Sequence, residues 1–404
     1  MTARPRVLVV GLNYAPESTG IAPYTAGMAR GLAEQYDVNV VTAHPHYPQW
    51  EVLPGYGGGE RSELVDGIPV KRLLHYVPHD PAGVSRIVSE ASFALRVALA
   101  RQARPDAVVV VTPALLPMGP VLARARRWGA PVGVVVQDLY GKAAGELGLL
   151  GGGLERAITA LEGRLLRASD SVVSIHERMA RAIADDYGVS AERLSVIPNW
   201  THIEEFAGDR TVVRQRLGWI DDVVVLHAGN MGAKQGLEHV VTAARRAQEL
   251  GRELRFVLMG DGARRSDLGE LAIGVKTLEF MEPVSGGDFA GVLAAADVLL
   301  LHERPGLKEM CAPSKLTSYF AAARPVLGAT DADSAAAHEV RSSGAGVVVP
   351  SGDPDALLAG LDELLAADGA EVGRRGAEYA RTRLSEQAAL SDYRDWVGEL
   401  LCRR

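Results

Sequence analysis

Residues 226–238 read Leu226-His227-Ala228-Gly229-Asn230-Met231-Gly232-Ala233-Lys234-Gln235-Gly236-Leu237-Glu238. A β-rich run over 223–227 stops at Gly229, a glycine-broken turn carrying Lys234 follows, and an amphipathic helix is predicted to open near Gly236. Strand, glycine turn and helix N-terminus in that order make an anion site. Small residues let a phosphate approach the backbone, first-turn N–H groups point at it, and the helix dipole favours its charge. Lys234 adds a full positive charge and is one of only six lysines among 43 basic residues. Glycine turns are common in α/β folds, so the stretch also reads as a plain strand-to-helix turn with a solvated lysine.

Working outward, the same grammar of strand then helix runs through both halves of the chain. Strands are predicted at 6–12, 38–42, 107–112, 132–137 and 171–175, with helices near 22–34, 85–101, 117–128, 154–167 and 177–187. After a pause at 196–202 and a polar stretch to about Arg214, read as an interdomain linker, the grammar restarts. Strands follow at 223–227, 255–259, 276–280, 298–302, 325–328 and 346–349, with helices at 237–250, 288–295, 314–323 and 354–366. Runs apolar throughout, such as Val108-Val109-Val110-Val111, suit strands covered on both faces. The alternation predicts an α/β protein of two Rossmann-like, doubly wound domains at 1–200 and 201–380. A helical segment at 381–404 is expected to return to the N-terminal domain. Two such domains in series imply a central cleft, and open parallel sheets bind ligands beyond the carboxyl ends of their strands. The turns at Gly229 and at 11–20 both lie at such ends.

Composition sets bounds on partners. At 404 residues with 47% apolar and 23% charged residues, the chain reads as an ordinary soluble globular protein. A net charge of −7 argues against nucleic acid as the main partner, although Arg124, Arg126 and Arg127 form a local basic patch. Cys311 and Cys402, far apart, make no disulfide framework or metal cluster, and a reducing cytoplasm is the expected compartment. The first residues lack a signal peptide's apolar region, and no apolar stretch reaches the roughly 18 residues of a membrane span.

Further candidate sites lie at predicted strand ends. The first βα loop, 11–20, is long, contains Tyr14 and has no GxGxxG fingerprint; Gly20, just before a helix, reads either as a close-approach point for a phosphate or sugar or as part of a surface loop. In Pro313-Ser314-Lys315-Leu316-Thr317-Ser318, Pro313 suits a helix start, and Lys315 there is unfavourable unless it meets an anion. Gly260-Asp261-Gly262 is a tight turn explained by turn chemistry alone. His44-Pro45-His46-Tyr47-Pro48 carries two histidines at i, i+2, but no cysteine or carboxylate cluster completes a metal site, and a polar aromatic loop that touches a sugar fits better. Gln137-Asp138-Leu139-Tyr140 sets an amide and a carboxylate after a strand, where Asp138 also reads as a helix cap. The absence of Gly-x-Ser-x-Gly, His-Glu-x-x-His and Cys-x-x-Cys removes the common hydrolase and metalloprotease classes.

Taken in order, 42–48, 136–140, 197–200, 229–238, 259–265 and 312–317 with Arg324-Pro325-Val326 resemble the glycosyltransferase family 4 enzymes of the GT-B fold, and within them the colanic-acid biosynthesis subgroup. The resemblance runs from about Arg6 to Asp355. It implies a retaining transfer of a sugar from a nucleotide diphosphate sugar, UDP ahead of GDP, to an acceptor hydroxyl. It implies no cofactor beyond that donor and no required metal. The second domain would hold the donor through Gly229, Asn230, Gly260, Asp261, Phe280, Pro313, Ser314 and Ser318, with Gly20 approaching from the first. Lys234, assisted by Lys315, would stabilise the leaving diphosphate; Gln137, where many relatives have a catalytic histidine, and Asp138 beside it would complete the catalytic set. Tyr14, His44, His46, Tyr47 and Tyr140 would meet the acceptor.

Two departures from the family pattern are visible. Many members carry two glutamates eight residues apart, and those positions fall here at Met310 and Ser318, with Glu303 and Glu309 out of register. Tyr140-Gly141-Lys142 replaces the subgroup's Trp-Pro-Asp. A sugar-nucleotide 2-epimerase and a non-catalytic nucleotide-sugar-binding subunit are the rival readings. The expected acceptor is a lipid-linked glycan or a secondary-metabolite aglycone. Arginines in 101–127 read either as a peripheral contact with an anionic membrane face or as a solvated helix face.

Overall fold

The computed structural model describes residues 4–79, 84–139, 152–201, 203, 206–284, 287–306 and 314–403. The chain divides into two compact units, one of Met1–Asn199 with Glu386–Arg404, the other of Trp200–Ser385.

The first unit is an eight-stranded sheet. Its strands are β1 (Arg6–Gly11), β2 (Asp37–Ala43), β3 (Arg61–Val65), β4 (Ile68–Leu73), β5 (Ala107–Val111), β6 (Val132–Val136), β7 (Ser171–Ser174) and β8 (Leu194–Val196). Their order is β3-β4-β2-β1-β5-β6-β7-β8, and every pair is parallel except β3 with β4. β5 and β6 are buried along their whole length, as their unbroken apolar runs require. The β3–β4 hairpin is absent from the sequence reading. It turns on Asp66 and Gly67, both at positive φ (52° and 77°), the geometry of a type I′ turn. β3 carries Arg61 and Glu63 and lies at the sheet edge, where charge blunts edge-to-edge pairing.

The C-terminal helix Glu386–Cys402 belongs to this unit. Its Trp396 lies against β6 at Gly133, where a Cβ would stand 2.5 Å from the indole. The Trp396 Nε1–H donates to Ser171 Oγ at 2.8 Å, and Tyr36 Oη donates to Arg394 O at 3.0 Å. The preceding helix Gly369–Arg383 stays with the second unit, whose last residue is Ser385.

The second unit is a six-stranded, wholly parallel sheet of β9 (Val223–Ala228), β10 (Leu254–Met259), β11 (Leu278–Met281), β12 (Val298–His302), β13 (Val326–Ala329) and β14 (Gly346–Val349). The order β11-β10-β9-β12-β13-β14 is the 3-2-1-4-5-6 arrangement of a dinucleotide-binding domain, with its switch point between β9 and β12. One face packs Leu237, Val240, Ala244, Leu358 and Leu361 from the helices Glu238–Glu249 and Pro354–Ala366 and the turn before them. The other packs Trp219, Val292, Tyr319, Phe320 and Val340.

The stretch read as a linker contains a helix, Arg210–Leu217. Asp209 caps it by accepting the Thr211 N–H at 2.7 Å, and Gly218 ends it in the left-handed conformation. Arg210 and Arg214 both reach the Asp297 carboxylate, which also accepts the Val224 N–H at 2.9 Å and so ties the helix to the start of β9.

Candidate active site

At the switch point β9 and β12 are in register at Val225 with Val298 and at Leu226 with Leu299. Beyond these residues side chains take over the backbone groups. The Ala228 N–H donates to Tyr319 Oη at 2.8 Å. His227, fully buried, sets Nδ1 3.3 Å from Leu300 O and Nε2 3.2 Å from the Lys315 Nζ. That geometry assigns the proton to Nδ1 and leaves Nε2 to accept from the ammonium. Burial, reinforced by Lys315, holds the His227 pKa well below the usual histidine range. Burial also pushes Lys315 down to about 8, opposed by the Glu303 carboxylate.

Above Lys315 the backbone is open. Gly229 is exposed, with φ 131°, and a Cβ there would touch the Lys315 Cε and Nζ at 3.6 Å. The turns after β9 and β10 are pressed together at glycines. A Cβ on Gly260 (φ 144°) would lie 1.9 Å from Gly229 O, so no side chain fits. The Met231 N–H donates to Asp261 O at 2.8 Å and the Arg264 N–H to Met231 O at 2.9 Å, closing the two turns into one surface. Asn230 and Asp261 are exposed on it. Beside it an open pocket of about 450 Å³ is lined by Asp261, Gly262, Ala263, Arg265, Ser266, Gly269 and Phe280.

The helix after β9 begins at Glu238, not at Gly236. A 3₁₀ turn, Ala233–Gln235, intervenes, and Gly236 takes the left-handed conformation (φ 56°), where a Cβ would also crowd Arg304 Cα at 3.1 Å. Lys234 therefore rides on the 3₁₀ turn, which is clamped from below. The Arg304 N–H donates to Lys234 O at 2.8 Å, and His302 Nδ1 meets Gln235 O at 2.7 Å. Burial pushes His302 down to about 4, which keeps it neutral. The Lys234 and Lys315 ammonium groups make no ion pair among the described residues.

In the first unit the predicted residues cluster at the carboxyl ends of β1, β2 and β6. Gln137 is buried, and its Oε1 accepts the Asn199 Nδ2–H at 2.8 Å; Asp138 follows it. Tyr14 is interior, and burial raises its hydroxyl to about 12. His44 is also interior. Its Nδ1 accepts the Gly57 N–H at 3.2 Å and its Nε2 donates to Gly59 O at 2.8 Å, so both ring nitrogens serve the glycine loop and neither is left for a metal or a ligand. The Tyr47 ring lies against Gly20, with Cε1 3.0 Å from where a Cβ would stand. Ser318 is half-buried on the helix Ser314–Ala321, whose first residue is Ser314. Tyr140 and Pro313 lie outside the described residues.

Several residues that hold these loops escaped the sequence reading. Glu17 is buried, and its Oε1 accepts the backbone N–H groups of His46 and Tyr47 at 2.7 and 2.9 Å, while Oε2 accepts from Asn13 at 3.0 Å. Arg72, fully buried, joins Glu63 to the carbonyls of Ala15 and Ala43. His227 and His302 carry the one visible signal: each is a polar residue in an otherwise apolar parallel strand.

Two Rossmann-like parallel sheets in one chain, the second with a cationic glycine surface at its switch point, define the GT-B class of transferase. Residues 19–200 match the family described as Glycosyl transferase 4-like domain, and residues 222–367 match Glycosyl transferases group 1. The colanic acid biosynthesis glycosyl transferase WcaI of Escherichia coli (strain K12) is 30% identical over 96% of this chain and 98% of its own length. The sucrose-phosphate synthase of Thermosynechococcus elongatus superposes with a TM-score of 0.76 at 17% identity, covering 99% of this chain and 100% of that one. Anabaena HepE in complex with UDP-glucose superposes with a TM-score of 0.69 at 14% identity, covering 98% and 100%. The chain belongs to the glycosyltransferases with family 4-like and group 1 domains.

Proposed function

We propose that the protein is a retaining glycosyltransferase that takes a sugar from a nucleotide diphosphate sugar, a UDP-sugar ahead of a GDP-sugar, to a hydroxyl of a lipid-linked glycan. The observation that carries this reading is the Lys315 ammonium, set by neutral His227 beneath the exposed backbone of Gly229, with Lys234 on the next turn. A partly buried cation that forms no ion pair, with the Glu303 carboxylate acting on it only through its field, is costly unless an anion completes it. The UDP-glucose named with HepE and the glycan pathway named with WcaI support the choice of donor and acceptor classes. The pocket beside Phe280 has room for a nucleoside.

In this mechanism the bond from the anomeric carbon to the diphosphate oxygen breaks and its electron pair stays on the leaving phosphate. Lys315 and Lys234 stabilise that growing charge more than they stabilise the bound donor. The acceptor oxygen bonds to the anomeric carbon on the same face, and its proton passes to the leaving phosphate. No protein nucleophile and no metal enters the scheme.

The test is nucleotide release from a panel of UDP- and GDP-sugars, with product anomers read by NMR. Lys315→Ala and Lys234→Ala are each expected to lower kcat/KM about a hundredfold. Unchanged kcat/KM in Lys315→Ala would remove the assignment. Donor binding without turnover on any acceptor would favour the non-catalytic subunit.

A further inference from the structure

β2 runs into a loop that two backbone bonds close at its base, from the Glu51 N–H to His46 O at 3.2 Å and from the Leu53 N–H to Pro45 O at 2.9 Å. Inside this loop Trp50 has a positive φ of 55°. The other side-chain-bearing residues with positive φ among the described ones are Asp66, in a hairpin turn, and Ala323, just past a helix end. Trp50 alone is bulky, and for a bulky L-residue that conformation is strained. Were the turn the only requirement, glycine or asparagine would meet it at lower cost. Burial offsets little of the strain, because the indole is only half-buried and Pro48, Gln49 and Glu51 beside it are exposed.

The ring is nonetheless held in place. The His46 ring meets it at 5.5 Å between centroids and 70° between planes, and the Tyr47 ring at 6.5 Å and 79°. The Arg86 guanidinium stands 5.5 Å from its centroid. These neighbours are fixed in turn. His46 Nδ1 donates to His44 O at 2.9 Å, and one oxygen of the buried Glu17 accepts the backbone N–H groups of both His46 and Tyr47. The Tyr47 hydroxyl and the Trp50 indole N–H hydrogen-bond to no described residue. Two rigid aromatic rings thus stand side by side at the carboxyl end of β2, each with a polar tip.

We propose that Trp50 and Tyr47 form a carbohydrate platform, on which the indole packs against the C–H face of a sugar ring of the acceptor while the Trp50 N–H and the Tyr47 hydroxyl meet its hydroxyls. A pyranose has one apolar face and a rim of hydroxyls, and a rigid aromatic with polar groups at its edge matches both at little cost in side-chain entropy. An acyl chain would need a continuous apolar surface, which exposed Gln49 and Glu51 interrupt. The strained backbone sets the ring before the ligand arrives, so its ordering is not charged against binding. The inference rests on the proposed sugar transfer and narrows it, because the acceptor must then present a sugar ring to the first unit.

The experiment is ligand-observed NMR of the full chain with the methyl glycosides of glucose, galactose, mannose, fucose and N-acetylglucosamine, and with 2-naphthol, in the absence of any donor. At least one glycoside is expected to bind, with its ring C–H protons shifted upfield by the indole. Trp50→Gly should weaken that binding roughly tenfold or more, and Trp50→Phe, which keeps an aromatic face, should retain most of it. Glycine adopts a φ of 55° freely, so relief of strain should offset the lost contacts and leave the Tm of Trp50→Gly near that of the parent. Binding of no glycoside, or equal binding by the parent and Trp50→Gly, overturns the proposal. A Tm that falls together with binding in Trp50→Gly, with no recovery in Trp50→Phe, also overturns it and leaves the ring a structural part of its loop. Tighter binding of 2-naphthol than of every glycoside overturns it in favour of an aromatic aglycone. No transfer is measured, so the platform can fail while the proposed activity stands, and a chain that turns over no donor would leave these readouts unchanged.

Discussion

The Lys315 Nζ lies 3.2 Å from His227 Nε2, across 88 residues of sequence, and the imidazole is turned the right way to accept from it because Nδ1 faces the Leu300 carbonyl. A half-buried lysine is thereby offered a neutral acceptor, with the Glu303 carboxylate favouring its charge. The arrangement orients the ammonium without cancelling its charge.

This pairing predicts a pH dependence. Lys315 is pushed down to about 8, so its ammonium is present below that pH and lost above it. A site that needs the cation should lose donor kcat/KM as pH rises through about 8 in the free enzyme. Lys315→Arg, whose guanidinium stays charged, should move that limb out of the measured range even if the plateau is lower. An alkaline limb identical in both enzymes would show that another group titrates.

The close crossing of the turns after β9 and β10 predicts an intolerant glycine. In Gly260→Ala the added methyl would meet the Gly229 carbonyl oxygen at 1.9 Å, at a φ of 144° that L-residues rarely adopt. Relief requires the two turns to part, at about 2–4 kcal/mol of stability. Urea unfolding measures the loss, and donor KM should rise with it. A variant as stable as the parent would mean the turns separate freely.

Glu17 predicts a split between substrates. Its carboxylate accepts two backbone N–H groups on one oxygen, from His46 and Tyr47, and an amide on the other. Glu17→Gln replaces one accepting oxygen with a donor and loses at least one charge-assisted bond, about 1.5–3 kcal/mol each. With the loop after β2 released, acceptor kcat/KM should fall about tenfold while donor KM holds. Equal changes in both constants would remove the loop from acceptor binding.

Glu90 predicts a stabilising substitution. Burial raises its carboxyl to about 7, above its ordinary value, although the Arg86 guanidinium and the Leu115 N–H favour the charged form. Between the unfolded and folded pKa values the native state binds the extra proton, so stability falls as pH rises from about 4.5 to 7. Glu90→Gln removes that loss. It should raise Tm at pH 8, by an amount equivalent to ~1–3 kcal/mol, and leave Tm nearly unchanged at pH 4. Calorimetry at the two pH values decides it.

Much of the fold is legible in local chemistry. Unbroken valine runs such as 108–111 can only be covered on both faces, and the alternation of such runs with helices leaves few topologies besides parallel sheets. The hairpin at 61–73 escapes because an edge strand bearing Arg61 and Glu63 lacks the apolar signature, although Asp66-Gly67 marks its turn. The helix Arg210–Leu217 reads as a linker because its arginines look solvated; their partner, Asp297, is distant in sequence. His44 reads as a site residue from its loop, yet its ring is spent on the backbone of residues 57 and 59.

By itself, then, the sequence determined the two parallel-sheet domains, the glycine turn after β9 and the presence of lysines fit to meet an anion, because backbone freedom and apolar periodicity are local properties. Only the tertiary structure decided that Lys315 lies under Gly229 in the grip of His227, and that Glu17 fastens the loop after β2. β9 and β12 become neighbours through the crossover order of the sheet, and no short stretch of chain encodes which distant side chains that order will bring within hydrogen-bonding distance.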